Sequence, residues 1–103
     1  MSRLVDVICT NEEYEKGVES GKLLVEEHLA VVSYVIPAKV LFNSGNQIII
    51  QDSVMLILKS KDVVFPNKLK PRLKELFCQR GVVLPIVEVV PDYRAWVEKE
   101  VYE

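Results

Sequence analysis

Residues 30–58 read AVVSYVIPAKVLFNSGNQIIIQDSVMLIL, two long β-forming runs around Asn43-Ser44-Gly45-Asn46. β-Branched and aromatic residues are typical of strands, and an Asn/Gly-rich tetrapeptide between such runs is typical of a hairpin turn. The sequence therefore predicts strands over 30–42 and 46–58. A strand of that length spans roughly 43 Å at about 3.3 Å per residue, which exceeds the core of a small domain. The hairpin should protrude or bend sharply, and Pro37 favours a break.

A strand and a helix precede this hairpin. The apolar run over 4–9 is short and rich in β-branched residues, as in a strand with Val5, Val7 and Cys9 on one side. Thr10 followed by Glu13 predicts a capping box at the start of a helix. Apolar residues then recur at spacings of three and four for about 18 residues, as in an amphipathic helix. They are Tyr14, Val18, Leu24, Val25 and Leu29.

Two glycines, Gly17 and Gly21, lie one turn apart on the same face of this predicted helix. Each costs about 1 kcal/mol of helix propensity relative to alanine. We therefore expect a close approach of the helix to a sheet, which would compensate for that cost.

A second helix, a fourth strand and a terminal helix follow the hairpin. The helix is predicted over 67–80 and ends before Gly81, a suitable residue after a helix C-terminus. Its buried stripe is Leu69, Leu73, Leu76 and Phe77. The strand is predicted over 82–90, with Pro85 marking an edge or a bulge. Pro91-Asp92 opens the terminal helix, whose inner side is Tyr93, Trp96, Val97 and Val101.

The predicted order is β-α-β-β-α-β with an extra C-terminal helix, in a single domain over residues 1–103. With right-handed crossovers this is an α+β, ferredoxin-like sandwich with a long β-hairpin. Two helices then cover one face of a four-stranded antiparallel sheet.

The second face of that sheet has no predicted cover. Strands of a sheet with one solvent-exposed face should alternate apolar and polar residues along the chain. Stretches such as 48–50 and 54–58 instead place apolar groups on both faces. Each buried aliphatic side chain stabilises by about 1.5–3 kcal/mol. We therefore expect a closed homo-oligomer whose sheets face inward, or else helices that wrap further around a complete monomer.

Composition excludes several classes of function. A net charge of −2 argues against a nucleic-acid partner, and no apolar stretch approaches the roughly 20 residues of a membrane helix. The N-terminus has no apolar signal core, so we expect a cytoplasmic protein. Cys9 and Cys78 are 69 positions apart without a C-x-x-C motif, and we expect free thiols. One histidine and no G-x-S-x-G motif offer little for an acid–base or nucleophilic relay, so no enzyme is predicted.

Several segments, taken in order, resemble the CutA divalent-cation tolerance proteins. They are Val7-Ile8-Cys9-Thr10 before a helix, Leu29-Ala30 entering a strand that reaches Ile36-Pro37, a hairpin ending in Lys59-Ser60, Pro85 in the last strand, and Asp92-Tyr93 followed by Trp96. The resemblance implies a ferredoxin-like fold, a homotrimer with interlocking hairpins, kinship with PII signalling proteins, and a link to tolerance of copper and other divalent metals.

The resemblance also implies candidate site residues. Cys9 matches the family cysteine at the end of the first strand, which makes it the candidate ligand for a divalent metal or copper. Family members usually carry His-Pro-Tyr where this chain has Arg80, Gly81 and Val82. The acidic residue that usually follows the proline is replaced by Ile86. The chain thus resembles a divergent member that lacks the family histidine.

Four further residues match positions that line clefts between subunits in the family: Lys59, Arg80, Tyr93 and Trp96. A cationic and aromatic pocket suits an anion or a planar ligand. This supports an alternative hypothesis of a PII-like sensor or scaffold, which binds a small anionic ligand between subunits and relays that to a protein partner. A purely structural trimer is a third possibility.

Overall fold

The computed structural model describes residues 3–76, 78–86 and 90–103, and only the backbone of residues 79 and 80. The strands are β1 (Leu4–Asn11), β2 (Val32–Ser44), β3 (Gln47–Lys61) and β4 (Gln79–Pro85). The helices are α1 (Tyr14–Glu26), α2 (Lys70–Glu75), which follows a π-helical turn at Phe65–Leu69, and α3 (Pro91–Glu100). The sheet is antiparallel in the order β2-β3-β1-β4. This confirms the predicted ferredoxin-like fold with its extra C-terminal helix.

The hairpin of β2 and β3 protrudes, as predicted. The two strands pair without a register shift from Val32–Lys59 to Ser44–Gln47, and the molecule measures 45 Å along its long axis against 26 and 23 Å along the others. The expected break at Pro37 is wrong, because Pro37 pairs with Val54 inside this regular ladder. β2 is an edge strand, where the missing N–H of a proline can face solvent.

The expected capping box at Thr10 and Glu13 is also wrong. β1 continues to Asn11, so Thr10 pairs with Met55 of β3 instead of capping a helix. α1 begins only at Tyr14 and is 13 residues long rather than about 18, and no side chain caps it. Pairing with the central strand therefore outweighs the local capping signal.

The expected buried stripe of α1 is wrong in part. Tyr14, Val18 and Val25 are exposed, while the residues that face the sheet are Gly17, Ser20, Gly21 and Leu24. The predicted close approach at the glycines is confirmed. A Cβ atom on Gly17 would lie 2.9 Å from Cγ1 of Val54, and one on Gly21 would lie 3.1 Å from Cβ of Ser33.

Replacing Gly17 with alanine should therefore destabilise the fold. Alanine adds about 1 kcal/mol of helix propensity, but overpacking against a stiff, buried valine costs about 1–3 kcal/mol. The free energy of unfolding should fall by about 1 kcal/mol in urea denaturation. Gly81→Ala is the matched control, since no atom of the described residues lies within 4 Å of its added Cβ, and it should leave stability nearly unchanged. Equal stability of both variants would contradict the close packing.

The predicted helix over 67–80 and strand over 82–90 are shifted. α2 ends at Glu75, where the Cys78 N–H bonds to the Leu73 carbonyl at 3.0 Å and stops the helix. β4 then begins at Gln79, so Gly81 lies in a strand and does not end a helix. Leu69 and Leu73 are buried and Leu76 is half-buried, as predicted for the inner stripe. The expectations for Phe77 and for residues 87–89 lie outside the described residues.

The terminal helix begins at Pro91, as predicted, and closes one end of the core. Val97 and Val101 are fully buried, and Tyr93 packs against the core. Trp96 was expected on the inner side but is 44 % exposed. None of the helices in the described ranges has the length and apolar character needed to cross a membrane.

An ion pair joins the end of α1 to α2 and gives stability a pH dependence. Arg72 donates to both carboxylate oxygens of Glu27, at 2.8 and 2.7 Å. These hydrogen bonds hold the pKa of Glu27 below its usual value of 4.5. A carboxyl group with a lowered pKa stabilises the fold above its unfolded-state pKa, and this contribution is lost as the pH falls through the folded-state value.

The variant Glu27→Gln should consequently melt at a lower temperature than the parent at pH 7. The two melting temperatures should converge below pH 4.5, since the parent then loses the same charge. Glu19→Gln, on the exposed side of α1, serves as the control and should follow the parent at every pH. A difference for Glu27→Gln that persists in acid would contradict this role of the ion pair.

Candidate functional site

The two cysteines of the chain meet on the helix-covered side of the sheet. The β1–β4 ladder is regular as far as Ile8–Val82 and then shifts before Thr10–Gln79, which leaves a bulge in β4 opposite Cys9. Bulges commonly redirect a side chain. Cys78 directly precedes β4 and packs against the core beside Cys9. Residues far apart in sequence are therefore neighbours within one chain.

The thiols of Cys9 and Cys78 are free and lie next to each other. The buried side-chain amide of Asn11 lies beside the Cys78 thiol. Its Nδ2 atom lies 3.9 Å from Cys78 Sγ and 3.3 Å from the Leu76 carbonyl oxygen. Cys9 is 1 % exposed, whereas Cys78 is half-buried. Cys9 is thus enclosed in the core, and Cys78 is the more exposed of the two residues.

The contact separates the acidities of the two thiols. The hydrogen bond to Cys78, followed by burial, raises the pKa of Cys9 well above its usual value. The interaction with Cys9 lowers the pKa of Cys78, and the hydrogen bond from Asn11 lowers it further. Burial acts in the opposite direction but is outweighed. Cys78 is therefore the more readily ionised sulfur and Cys9 its proton-bearing neighbour.

Cys9 and Cys78 together would offer two sulfur ligands to a metal ion. Across the described residues, no three side chains of His, Cys, Asp or Glu come close enough together to hold a metal. His28, the single histidine, is engaged elsewhere: its ring stacks on Tyr102 at 4.0 Å and its Nδ1 lies 3.0 Å from the Glu100 carbonyl oxygen. The described residues of one chain thus provide a thiol pair and not a four-ligand set.

Lys59 lies near Tyr93 at one end of the uncovered face of the sheet, and Tyr93 in turn contacts Trp96. Lys59 Nζ lies 5.9 Å from the centre of the Tyr34 ring, and Tyr93 contacts Trp96 edge-to-face at 5.9 Å. The Tyr93 hydroxyl is buried without a hydrogen-bond partner among the described residues. Burial raises the pKa of Tyr93, while the nearby charge of Lys59 lowers it by less. The Arg80 side chain lies outside the described residues.

Asp6 is the residue of this cluster that sequence reasoning missed. It pairs across the strands with Lys59, and its Oδ1 lies 2.7 Å from Lys59 Nζ. Burial lowers the pKa of Lys59, but Asp6 raises it and the net direction is upward. The lysine is therefore charged and already neutralised by a carboxylate. A charged residue within an otherwise apolar first strand was the available signal.

The uncovered sheet face is apolar around this ion pair. Strand partners share a face, and the residues between them point to the helices. We call the part of the uncovered face nearest this ion pair the open face, and its apolar residues include Ile8, Tyr34, Ile36, Met55, Ile57, Val82 and Leu84. Four of them are at least 38 % exposed. Adjacent exposed apolar residues of this kind are typical of an interaction surface.

Comparison with solved structures gives consistent matches. CutA1 from Thermus thermophilus, a divalent cation tolerance protein, is 26 % identical with a TM-score of 0.85, over 96 % of this chain and 99 % of that one. CutA1 from Oryza sativa is 18 % identical with a TM-score of 0.88, over 98 % of this chain and 95 % of that one. A CutA1 variant from Pyrococcus horikoshii is 22 % identical with a TM-score of 0.86, over 96 % and 99 %.

Comparisons of sequence alone find no relative. Neither the family models nor the curated proteins contain a match to this chain. The agreement thus lies in a shared structure over nearly the whole length, with a sequence that has diverged. The chain thus shares the fold of the CutA proteins over nearly its whole length.

Proposed function

We propose that this chain acts in metal tolerance as a cytoplasmic CutA-type protein that binds copper as Cu(I) through Cys9 and Cys78. The CutA-like role rests on structural neighbours named for divalent cation tolerance. The observation that carries the copper assignment is the contact between two thiols inside one chain. Thiolate sulfur favours soft ions such as Cu(I).

The donor set explains why a divergent member can dispense with the family histidine. Zn(II) in proteins usually takes three or four protein ligands, which the described residues of one chain do not assemble. Cu(I) is satisfied by two thiolates. Asn11 would hold the Cys78 sulfur in place through its amide, and binding would release the proton that Cys9 carries.

The same proposal includes a homotrimer that covers the open face. The exposed residues Tyr34, Ile36 and Val82 would be buried against other copies of the chain. Each buried aliphatic side chain would stabilise the assembly by about 1.5–3 kcal/mol. The hairpin tip carries Leu41, Ile48 and Ile50, each more than 60 % exposed. These residues would pack on the edge of a neighbouring subunit and cover it.

The test of the copper assignment is a titration of the reduced protein under anaerobic conditions. With Cu(I) supplied as its acetonitrile complex, we expect saturable binding of one ion per chain. Zn(II) should bind at least about 100-fold more weakly because it lacks further ligands. Absence of saturable Cu(I) binding, or equal affinity for Zn(II), would overturn the assignment.

A second candidate function is a PII-like sensor for a small anionic ligand. The observation that favours it is the buried Tyr93 hydroxyl beside Lys59, which has no partner among the described residues. An oxygen atom of such a ligand would accept a hydrogen bond from this hydroxyl. To pair with Lys59 as well, the ligand would have to displace Asp6. A thermal-shift screen with nucleotides separates the two functions: stabilisation by a nucleotide but not by Cu(I) would favour the sensor.

A further inference from the structure

We propose that Cys9 and Cys78 form a peroxide-responsive pair, in which a hydroperoxide oxidises the two thiols to a disulfide within one chain. The inference rests on where the sulfurs lie and how exposed each is, and it does not depend on copper binding. The substrate class is a small hydroperoxide, and the product is a reversible modification.

The contact geometry suits two unequal roles. Cys78 is half-buried and is the more exposed residue of the pair, which makes it the first target of a small oxidant. Cys9 is 1 % exposed and lies next to Cys78, so it is shielded from the oxidant but close to the sulfur that reacts first. An accessible cysteine poised next to a resolving cysteine is the arrangement of a redox-responsive site.

The strand register and neighbouring hydrogen bonds hold Cys9 and Cys78 close to each other. In the shifted part of the β1–β4 ladder, Cys9 lies opposite residues 80 and 81, close to the segment that precedes β4. On that segment, the Cys78 N–H is held by the Leu73 carbonyl at 3.0 Å. Asn11 also contacts the Cys78 sulfur and the Leu76 carbonyl. Cys78 is thus held through its backbone and through its sulfur, which favours a disulfide within the chain over one between chains.

The chemistry balances without any other co-reactant. The Cys78 sulfur attacks one peroxide oxygen, the O–O bond breaks, and the thiol proton leaves with the second oxygen as water. The sulfenic acid formed on Cys78 is then attacked by the Cys9 sulfur, and its oxygen leaves as a second water with the Cys9 proton. Two thiols are oxidised to a disulfide while one hydrogen peroxide is reduced to two waters. Reduction by a dithiol restores the pair.

The first test uses the unaltered protein. Reduced protein is treated with one equivalent of hydrogen peroxide, and its free thiols are counted under denaturing conditions. We expect the count to fall from two per chain to none and the mass to fall by two hydrogens. Peptide mapping should join Cys9 to Cys78, and dithiothreitol should restore both thiols. Two remaining thiols, or a link between different chains, would overturn the proposal.

Single variants test the order of attack. In Cys9→Ala, Cys78 should stop at the sulfenic acid and be trapped by dimedone. In Cys78→Ala, the buried Cys9 should react at least about tenfold more slowly than the parent, because access limits a buried thiol. Equal rates in Cys78→Ala and the parent would assign the first attack to Cys9 and contradict the proposed order of attack. Should either variant fail to fold, peptide mapping of the parent still decides the proposal.

Discussion

Replacing Ile57 with aspartate is expected to dissociate the proposed homotrimer into single chains. Ile57 lies at the centre of the open face, paired with Ile8 on one side and Tyr34 on the other. In a closed assembly its carboxylate would be buried without a partner. Such a charge costs several kcal/mol, and about 1.4 kcal/mol is a factor of ten in affinity, so the dissociation constant should rise at least about 100-fold.

The control for this variant is Val63→Asp. Val63 is 52 % exposed and lies in the turn that follows β3, away from the open face, so the assembly should be unchanged. Size-exclusion chromatography with light scattering measures the mass of each variant, and circular dichroism verifies that each remains folded. If folded Ile57→Asp kept the mass of the parent, the open face would not be the subunit interface.

Replacing Cys78 with serine is expected to abolish tight Cu(I) binding. The loss of a group that only supports a metal ligand already lowers affinity about 10–100-fold, so the loss of one of two ligands should lower it at least about 100-fold. Competition with a chromophoric Cu(I) chelator measures the change. Cys9→Ser should show a loss of similar size, since both sulfurs would hold the same ion.

His28→Asn is the matched control for the copper site. His28 has a positive φ of 60°, a conformation that asparagine tolerates, and it contacts Tyr102 rather than the cysteines. Its replacement should leave Cu(I) affinity unchanged. A large loss of affinity in His28→Asn together with full affinity in Cys78→Ser would move the metal site to the histidine.

The element order could be predicted because periodicity is a local signal that the fold reinforces. The β-branched runs of the hairpin form strands that differ from their predicted limits by only a few residues. Gly17 and Gly21 break the local preference for helix, and that cost correctly indicated a tertiary contact. Boundaries failed where tertiary pairing overrides a local motif, as at Thr10 in the β1–β3 ladder and Gly81 in β4.

The candidate site was predictable only in part. Cys9 could be singled out by resemblance, but its contact with Cys78 depends on a register shift between β1 and β4 that no local pattern shows. The same holds for Asp6, whose partner Lys59 is set by the β1–β3 register. Both pairs join residues more than 50 positions apart, and only the folded sheet brings them together.

Sedimentation equilibrium of the unaltered protein, at several concentrations down to high dilution, tests most directly whether the open face is covered by further copies of the chain. The single chain has a mass of 11.8 kDa. The expected result is one species with three times that mass throughout the concentration range. A stable species of 11.8 kDa would contradict the homotrimer, because the open face would then remain in water.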